Sequence, residues 1–128
     1  MKRVTGLGGI FFKGEDNKKS AEWYKTHLGI PVEEWGGGEF KWRDHSNPEK
    51  EGSTVWNIFK KDTTYFGPSS QNYMINYRVE NITELIEVLK KEGVTVVDGP
   101  TADEGFGKFA WILDPDGNKI ELWEPRDN

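Results

Sequence analysis

The amino-acid sequence predicts an α+β fold in which two tandem βαβββ units form a curved mixed sheet around a central cleft. Two segments with helical periodicity each follow one strand-like segment and precede several others. The pair Phe40-x-Trp42 recurs as Phe109-x-Trp111 at a similar place in the second half. Because a single βαβββ unit leaves one face of its sheet uncovered, we expect two units to pair, with both helices outside.

The first predicted helix covers residues 17–27. Asp16 precedes it as a side chain suited to an N-cap, and Gly29 follows it as a residue that tolerates the left-handed C-terminal turn. Its apolar residues fall at helical spacing on one side: Ala21, Trp23, Tyr24 and Leu28.

The second predicted helix covers residues 82–92, between Asn81 and Gly93. Its apolar residues again share one side: Ile82, Leu85, Ile86, Val88 and Leu89.

The remaining alternating or apolar segments predict eight strands. They cover residues 6–12, 32–35, 39–44, 54–60, 73–79, 95–97, 109–113 and 119–123. A polar, turn-rich connector, about residues 61–72, separates a first unit, about 1–64, from a second unit, about 73–128. The sequence therefore predicts one domain over residues 1–128.

The closing hairpin is the most informative segment. Its turn, residues 114–118, reads Asp-Pro-Asp-Gly-Asn, where proline pre-sets φ and the following residues tolerate positive φ. In the strand that follows, Ile120 and Leu122 share one face, and Glu121 and Trp123 share the other. This alternation predicts a carboxylate beside a tryptophan on one face of a buried strand, which is either a ligand-site residue or an oddity.

The composition excludes several functional classes. A net charge of −5 and a pI near 5.1 argue against binding to nucleic acid or to an anionic membrane surface. Without cysteine there is no disulfide framework, thiol nucleophile or zinc ribbon. We find no signal peptide and no run near the ~18 apolar residues of a membrane span, so we expect a cytoplasmic protein. Six Trp, seven Phe and four Tyr suggest that aromatic side chains line a cavity.

A family resemblance rests on two groups of residues. The sequence resembles the vicinal oxygen chelate superfamily in both groups. The first is Asp16, Trp23-Tyr24 and Leu28-Gly29, and the second is residues 113–118 with Ile120-Glu121-Leu122. This superfamily includes glyoxalase I, bleomycin-resistance proteins and extradiol dioxygenases. The resemblance covers nearly the whole chain and implies a glyoxalase-like fold and a homodimer.

The resemblance also implies where a metal ion would bind. Enzymes of this superfamily hold a divalent metal with His, Glu or Gln at four cleft-facing positions, which correspond here to Gly9, Trp56, Met74 and Glu121. Glycine and tryptophan offer no ligand to a hard cation, and a thioether is a soft ligand. We therefore expect a member that lacks most metal-ligand positions and has no cofactor. A divalent metal with Glu121 as sole retained ligand is the alternative.

The predicted function is metal-independent binding of a small aromatic or amphipathic molecule, as in bleomycin-resistance proteins. The expected stacking residues are Phe11, Trp56, Met74 and Trp123, and Glu121 and Asn76 would orient the ligand. The two histidines, His27 and His45, have no partner at ligand spacing and are interpreted as surface residues.

Other interpretations stay open. Glu121 is either a catalytic base, because a carboxylate withdrawn from water accepts protons more readily, or a carboxylate that hydrogen-bonds Asn76, Arg78 or Tyr73. The base role would suit an isomerase or epimerase, and a glyoxalase-like lyase, a dioxygenase or a regulatory partner domain are further alternatives. The loop at residues 98–107 is either a lid with Phe106 as its plug or a solvated connector. The orientations of Phe40, Trp42 and Trp111 are also open.

Overall fold

The computed structural model describes residues 1–126 and confirms the predicted α+β fold. Residues 127 and 128, the end of the second predicted unit, lie outside the described residues. The elements in chain order are β1 (Val4–Gly14), α1 (Asn17–Leu28), β2 (Gly38–Arg43), β3 (Glu51–Lys60), β4 (Tyr73–Val79), α2 (Ile82–Lys91), β5 (Val96–Asp98), β6 (Lys108–Leu113) and β7 (Lys119–Glu124).

The described strands form one mixed sheet in the order β2-β3-β1-β4-β7-β6-β5. The two halves meet at the antiparallel pair of β1 and β4. Each of these central strands also pairs in parallel with the last strand of its own half, β1 with β3 and β4 with β7. Residues from both halves therefore face the same cleft.

The helices cover the face of the sheet that points away from the cleft. Ala21 of α1 packs with Trp56 and Ile58 of β3. On the other half, α2 contributes to a larger cluster: Ile82, Leu85 and Ile86 with Val79, Ala110 and Leu122. Because side chains alternate along each strand, Val55 and Glu121, the neighbours of Trp56 and Leu122, are left for the opposite face.

The two helices begin in different ways. Asp16 caps α1 with its side chain, since its Oδ1 accepts from the backbone N–H of Lys19 at 3.1 Å. Asn81 precedes α2 in the left-handed region, at φ 49°, and its side chain makes no capping bond. Glu124 of β7 takes that role, because its Oε1 accepts from the backbone N–H of Ile82 at 2.8 Å.

The strand predicted at residues 32–35 was wrong. Val32 forms only an isolated bridge to Gly38, and the chain then turns, with Glu33 N–H donating to the carbonyl of Gly37 at 2.8 Å. Pro31 has no N–H for a sheet ladder, and the three glycines that follow favour a turn. This turn places the indole of Trp35 at the cleft.

The apolar side predicted for α1 is only partly buried. Ala21 is buried and Tyr24 packs against Trp56, but Trp23 and Leu28 are 52% and 61% exposed. Trp23 instead packs on His27, with 5.0 Å between ring centroids. In residues 1–126 no helix is long and apolar enough to cross a membrane.

Candidate functional site

The cleft contains a cavity of about 600 Å³ bounded by strands of both halves. This volume suits a small organic molecule. Most of the lining is apolar: Gly8, Phe11, Trp35, Val55, Phe106, Phe109 and Trp123. Three polar residues complete it: Glu39, Asn76 and Glu121.

Glu121 is the centre of the polar part of this cavity. It is 3% exposed, and in the sheet register it lies between Asn76 of β4 and Trp111 of β6. Its Oε1 accepts from Asn76 Nδ2 at 2.5 Å, and its Oε2 accepts from Trp111 Nε1 at 2.8 Å and from the hydroxyl of Tyr65. Three donors therefore hold the carboxylate in one orientation.

The Tyr65 hydroxyl remains a donor over the physiological pH range. Burial raises the pKa of the Tyr65 phenol above its usual value, and the adjacent Glu121 carboxylate raises it further, by charge repulsion and by accepting its hydrogen bond. A phenolate beside that carboxylate would be unfavourable, so the proton stays on Tyr65.

Asn76 has an acceptor atom without a donor. A carboxylate only accepts hydrogen bonds, so the amide nitrogen of Asn76 must face Glu121. Its Oδ1 is enclosed and has no hydrogen-bond partner in the described residues. This atom lies against Gly8, where a Cβ would come within 2.1 Å of it. Glycine is therefore required at residue 8 to leave space for the Asn76 side chain.

Stacked rings form one wall of the cavity. Phe109 of β6 is nearly parallel to Trp123 of β7, with 6.0 Å between centroids and 5° between planes. Phe109 is also nearly parallel to Trp111, at 6.3 Å and 14°. Trp123 Nε1 donates to the carbonyl of Phe106 at 2.6 Å, which fixes the loop before β6 at the cavity edge. The ring of Phe106 is 77% exposed there.

The structure brings together four of the six predicted site residues. Phe11, Asn76, Glu121 and Trp123 all line the cavity. Their roles in binding or catalysis stay predictions. Of the three predicted partners of Glu121, only Asn76 bonds to it; Arg78 and Tyr73 do not.

Trp56 and Met74 do not line the cavity, which corrects the prediction for both. Trp56 lies on the other face of β3, where it packs with Ala21 and Ile58 under α1, and Val55 takes the cavity position. Met74 is 0% exposed because Phe11 and Phe66 enclose it in a separate cluster. Phe66 of the connector thus covers Met74, which was expected to line the cavity.

The connector contributes two residues that were not predicted. Tyr65 bonds to Glu121, and Phe66 is 0% exposed. The only signal in the sequence is two adjacent aromatic residues in an otherwise polar segment. Trp35, Val55 and Phe109 also line the cavity without having been predicted to do so.

The three open aromatic orientations are resolved. Trp111 points toward Glu121. Trp42 covers Gly6 and Gly52, and its Nε1 donates to Thr54 Oγ1 at 2.8 Å. Phe40 is 41% exposed.

The residues at this site do not fit the metal site of the superfamily's enzymes. Within residues 1–126, no three His, Asp or Glu side chains lie close enough together to hold a metal ion. Among the four positions, Glu121 is the one side chain of a metal-ligand type. Its Oε2 already accepts two hydrogen bonds. A multi-ligand site for a hard divalent cation would need further oxygen or nitrogen donors.

Comparison with known proteins agrees with this fold. A family model for the glyoxalase/bleomycin resistance protein/dioxygenase superfamily matches residues 10–122. This chain belongs to that superfamily. The uncharacterized protein YraH of Bacillus subtilis (strain 168) is 26% identical over 120 residues, which cover 85% of this chain and 90% of YraH.

Solved structures of the superfamily share the fold of this member. Methylmalonyl-CoA epimerase from Streptomyces coelicolor superposes with a TM-score of 0.68 at 15% identity, over 96% of this chain and 99% of the epimerase. Methylmalonyl-CoA epimerase from Mycobacterium tuberculosis gives 0.61 at 20% identity, over 95% and 89% of the two chains. At such identities the likeness extends to the fold alone.

Proposed function

We propose that this superfamily member binds a small aromatic or amphipathic molecule in the cavity without a metal ion. The supporting observation is a cavity of about 600 Å³ with an aromatic lining and one buried, firmly held carboxylate. Trp35, Phe106 and Trp123 offer flat apolar surfaces to a ring. The proposal needs no further metal ligand.

The polar atoms favour a ligand that carries a hydrogen-bond donor. Each carboxylate oxygen accepts two hydrogen bonds, and Oε1 of Glu121 receives only the one from Asn76. A hydroxyl, amide or ammonium group would donate the second bond to this oxygen, which gives the ligand a preferred orientation.

Titration of chelator-treated protein with phenol, indole and 1-naphthol tests the binding. We expect a saturable change in tryptophan fluorescence and a rise in melting temperature. Val55→Phe fills the cavity and should abolish both signals. Val4→Phe, the same substitution at an exposed position, should keep them. Equal binding by both variants, or no binding by any probe, would contradict the proposal.

A second candidate is proton transfer by Glu121, as in an isomerase or epimerase. The observation in its favour is that this carboxylate lines the cavity, and relatives of the same fold include methylmalonyl-CoA epimerases. The three donors on Glu121 argue against it, because they already occupy its oxygens and hold the carboxylate in one orientation. A metal-dependent lyase or dioxygenase has less support, because the residues of this site do not fit the metal site that such an enzyme needs.

Isotope exchange separates the two candidates. Propionyl-CoA, whose thioester activates the α-protons, is incubated with the protein in deuterated buffer and followed by proton NMR. Base catalysis predicts exchange with the native protein and none with Glu121→Gln. We expect no exchange with either protein, as binding alone requires.

A further inference from the structure

Arg78 is a buried cation without a carboxylate partner. It lies on β4 two residues after Asn76 and is 7% exposed. Within residues 1–126 the Arg78 side chain makes no ion pair. Its one hydrogen bond is long, with Nη1 donating to the carbonyl of Ser53 at 3.4 Å. Burial lowers the pKa of this guanidinium, although nearby Glu39 opposes the shift. A buried charge normally has a partner of opposite charge.

Two tryptophans hold the guanidinium in place. Its central carbon lies 5.0 Å from the centroid of the Trp123 ring and 5.6 Å from that of the Trp42 ring. Cation–π contacts of this kind restrain the group without using its N–H groups, which stay free for an acceptor. Among the described residues, no enclosed side-chain atom that lacks a hydrogen-bond partner is a nitrogen of Arg78. Its unbonded nitrogens are therefore not fully enclosed.

A second cavity, of about 370 Å³, is the larger of two that Arg78 lines in the described part of the chain. It adjoins the aromatic cavity, because Glu39, Phe106 and Trp123 line both. Its other cations are already paired: Lys41 lies 3.7 Å from Glu51, and Arg126 lies 3.2 Å from Asp103. Arg78 is thus the cation of the described lining that is available to a ligand.

We propose that Arg78 forms an anion subsite and that the ligand is an aromatic or amphipathic molecule with a carboxylate group. This inference rests on the proposed function. The ring lies in the aromatic cavity, and the carboxylate reaches past Trp123 to the guanidinium. The fork of guanidinium N–H groups matches the two oxygens of a planar carboxylate.

Glu39 sets the strength of this subsite. It is exposed, it lines both cavities, and its charge acts on Arg78 without an ion pair between them. A bound carboxylate would be repelled by Glu39 while it is attracted by Arg78. Removal of the Glu39 charge should therefore strengthen the binding of anions more than that of neutral ligands.

A matched ligand series tests the subsite in the native protein. The probes are ω-phenyl carboxylic acids from phenylacetate to 5-phenylpentanoate, each compared with its neutral amide by calorimetric titration. We expect at least one acid to bind about tenfold more tightly than its amide, with an advantage that decreases as salt is added. Equal affinities of acid and amide in every pair would overturn the proposed anion subsite but would still agree with binding in the aromatic cavity. No binding by acids or amides would contradict both proposals.

Variants locate the effect at Arg78. Arg78→Gln should remove the preference for acid over amide, Arg78→Lys should retain part of it, and Glu39→Gln should increase it. Arg43→Gln is the control, because Arg43 is exposed, donates to the carbonyl of Pro48 and lines neither cavity. If Arg78→Gln does not fold, the Glu39→Gln comparison decides, and an unchanged preference there would overturn the proposal.

Discussion

The hydroxyl of Tyr65 donates to the Glu121 carboxylate across 56 residues of sequence. Tyr65 belongs to the connector between β3 and β4, whereas Glu121 lies near the middle of β7. A second contact reinforces the first, because Lys119 Nζ donates to the Tyr65 carbonyl at 2.6 Å. The connector is thereby fixed to the polar centre of the cavity, and its Phe66 closes the adjoining cluster around Met74.

Tyr65→Phe should destabilise the protein by about 1–2 kcal/mol, because a charge-assisted hydrogen bond to Glu121 is lost. Urea unfolding measures the free energy. Tyr73→Phe is the control, since Tyr73 is 45% exposed and its hydroxyl makes no hydrogen bond within residues 1–126. A loss as large for Tyr73→Phe as for Tyr65→Phe would contradict the assigned bond.

The same pair predicts a dependence of stability on alkaline pH. Burial and the Glu121 charge raise the pKa of Tyr65 above the ordinary tyrosine value of 10.0, so the folded state holds this proton more tightly than the unfolded state. The contribution is full below pH 10 and decreases as the pH rises beyond it. The native protein should therefore lose more unfolding free energy above pH 10 than Tyr65→Phe does. Parallel curves for the two proteins would argue against it.

Two substitutions of Glu121 should differ widely. In Glu121→Gln the Asn76 amide can rotate so that its oxygen accepts from the new amide, and all three bonds are kept at a cost of about 1 kcal/mol. Glu121→Ala leaves the donors of Tyr65, Trp111 and Asn76 without their acceptor and should cost about 3–5 kcal/mol. Thermal or urea unfolding of both variants measures the difference. Similar losses would show that the three donors do not depend on this carboxylate.

Gly8→Ala tests the close approach of Asn76. The added methyl group would lie 2.1 Å from Asn76 Oδ1, so one of them must move, with an expected loss of about 1–3 kcal/mol. A double-mutant cycle with Asn76→Ala provides the control, because truncation of Asn76 removes the clash. The alanine at position 8 should therefore cost less in that background. Additive losses would contradict the steric account.

Metal content tests the expectation that the site binds no divalent ion. Elemental analysis of protein purified without chelator should find no stoichiometric divalent ion. Zn²⁺, Ni²⁺, Mn²⁺ and Fe²⁺ should leave the melting temperature unchanged, because no three His, Asp or Glu side chains of residues 1–126 lie close enough together to hold a metal ion. One metal per chain with a clear thermal shift would make a metal-dependent enzyme the better interpretation.

The sequence predicts the fold well because its signals are local. Strand alternation placed Glu121 and Trp123 on one face, and the family resemblance assigned that face to the cleft, as observed. The resemblance gave the wrong residue at Trp56, because β3 is apolar on both faces and a shift of one residue exchanges them. Val55 rather than Trp56 faces the cavity.

The polar centre was less predictable because its contacts are long-range. No periodicity links Tyr65 to Glu121, since the connector has no regular structure to fix its register. Alternation along β4 does place Arg78 on the face of Asn76. Within the described residues, however, no carboxylate pairs with Arg78. This depends on the spatial arrangement of several strands.

The most direct test is an NMR titration of chelator-treated, ¹⁵N-labelled protein with 3-phenylpropionate, read at the indole N–H of Trp123. This indole is hydrogen-bonded to the Phe106 carbonyl and lies where the two cavities meet. The account predicts a saturable shift of this resonance in the native protein and none in Val55→Phe. No saturation, or a shift that requires an added divalent metal, would contradict metal-independent binding in the aromatic cavity.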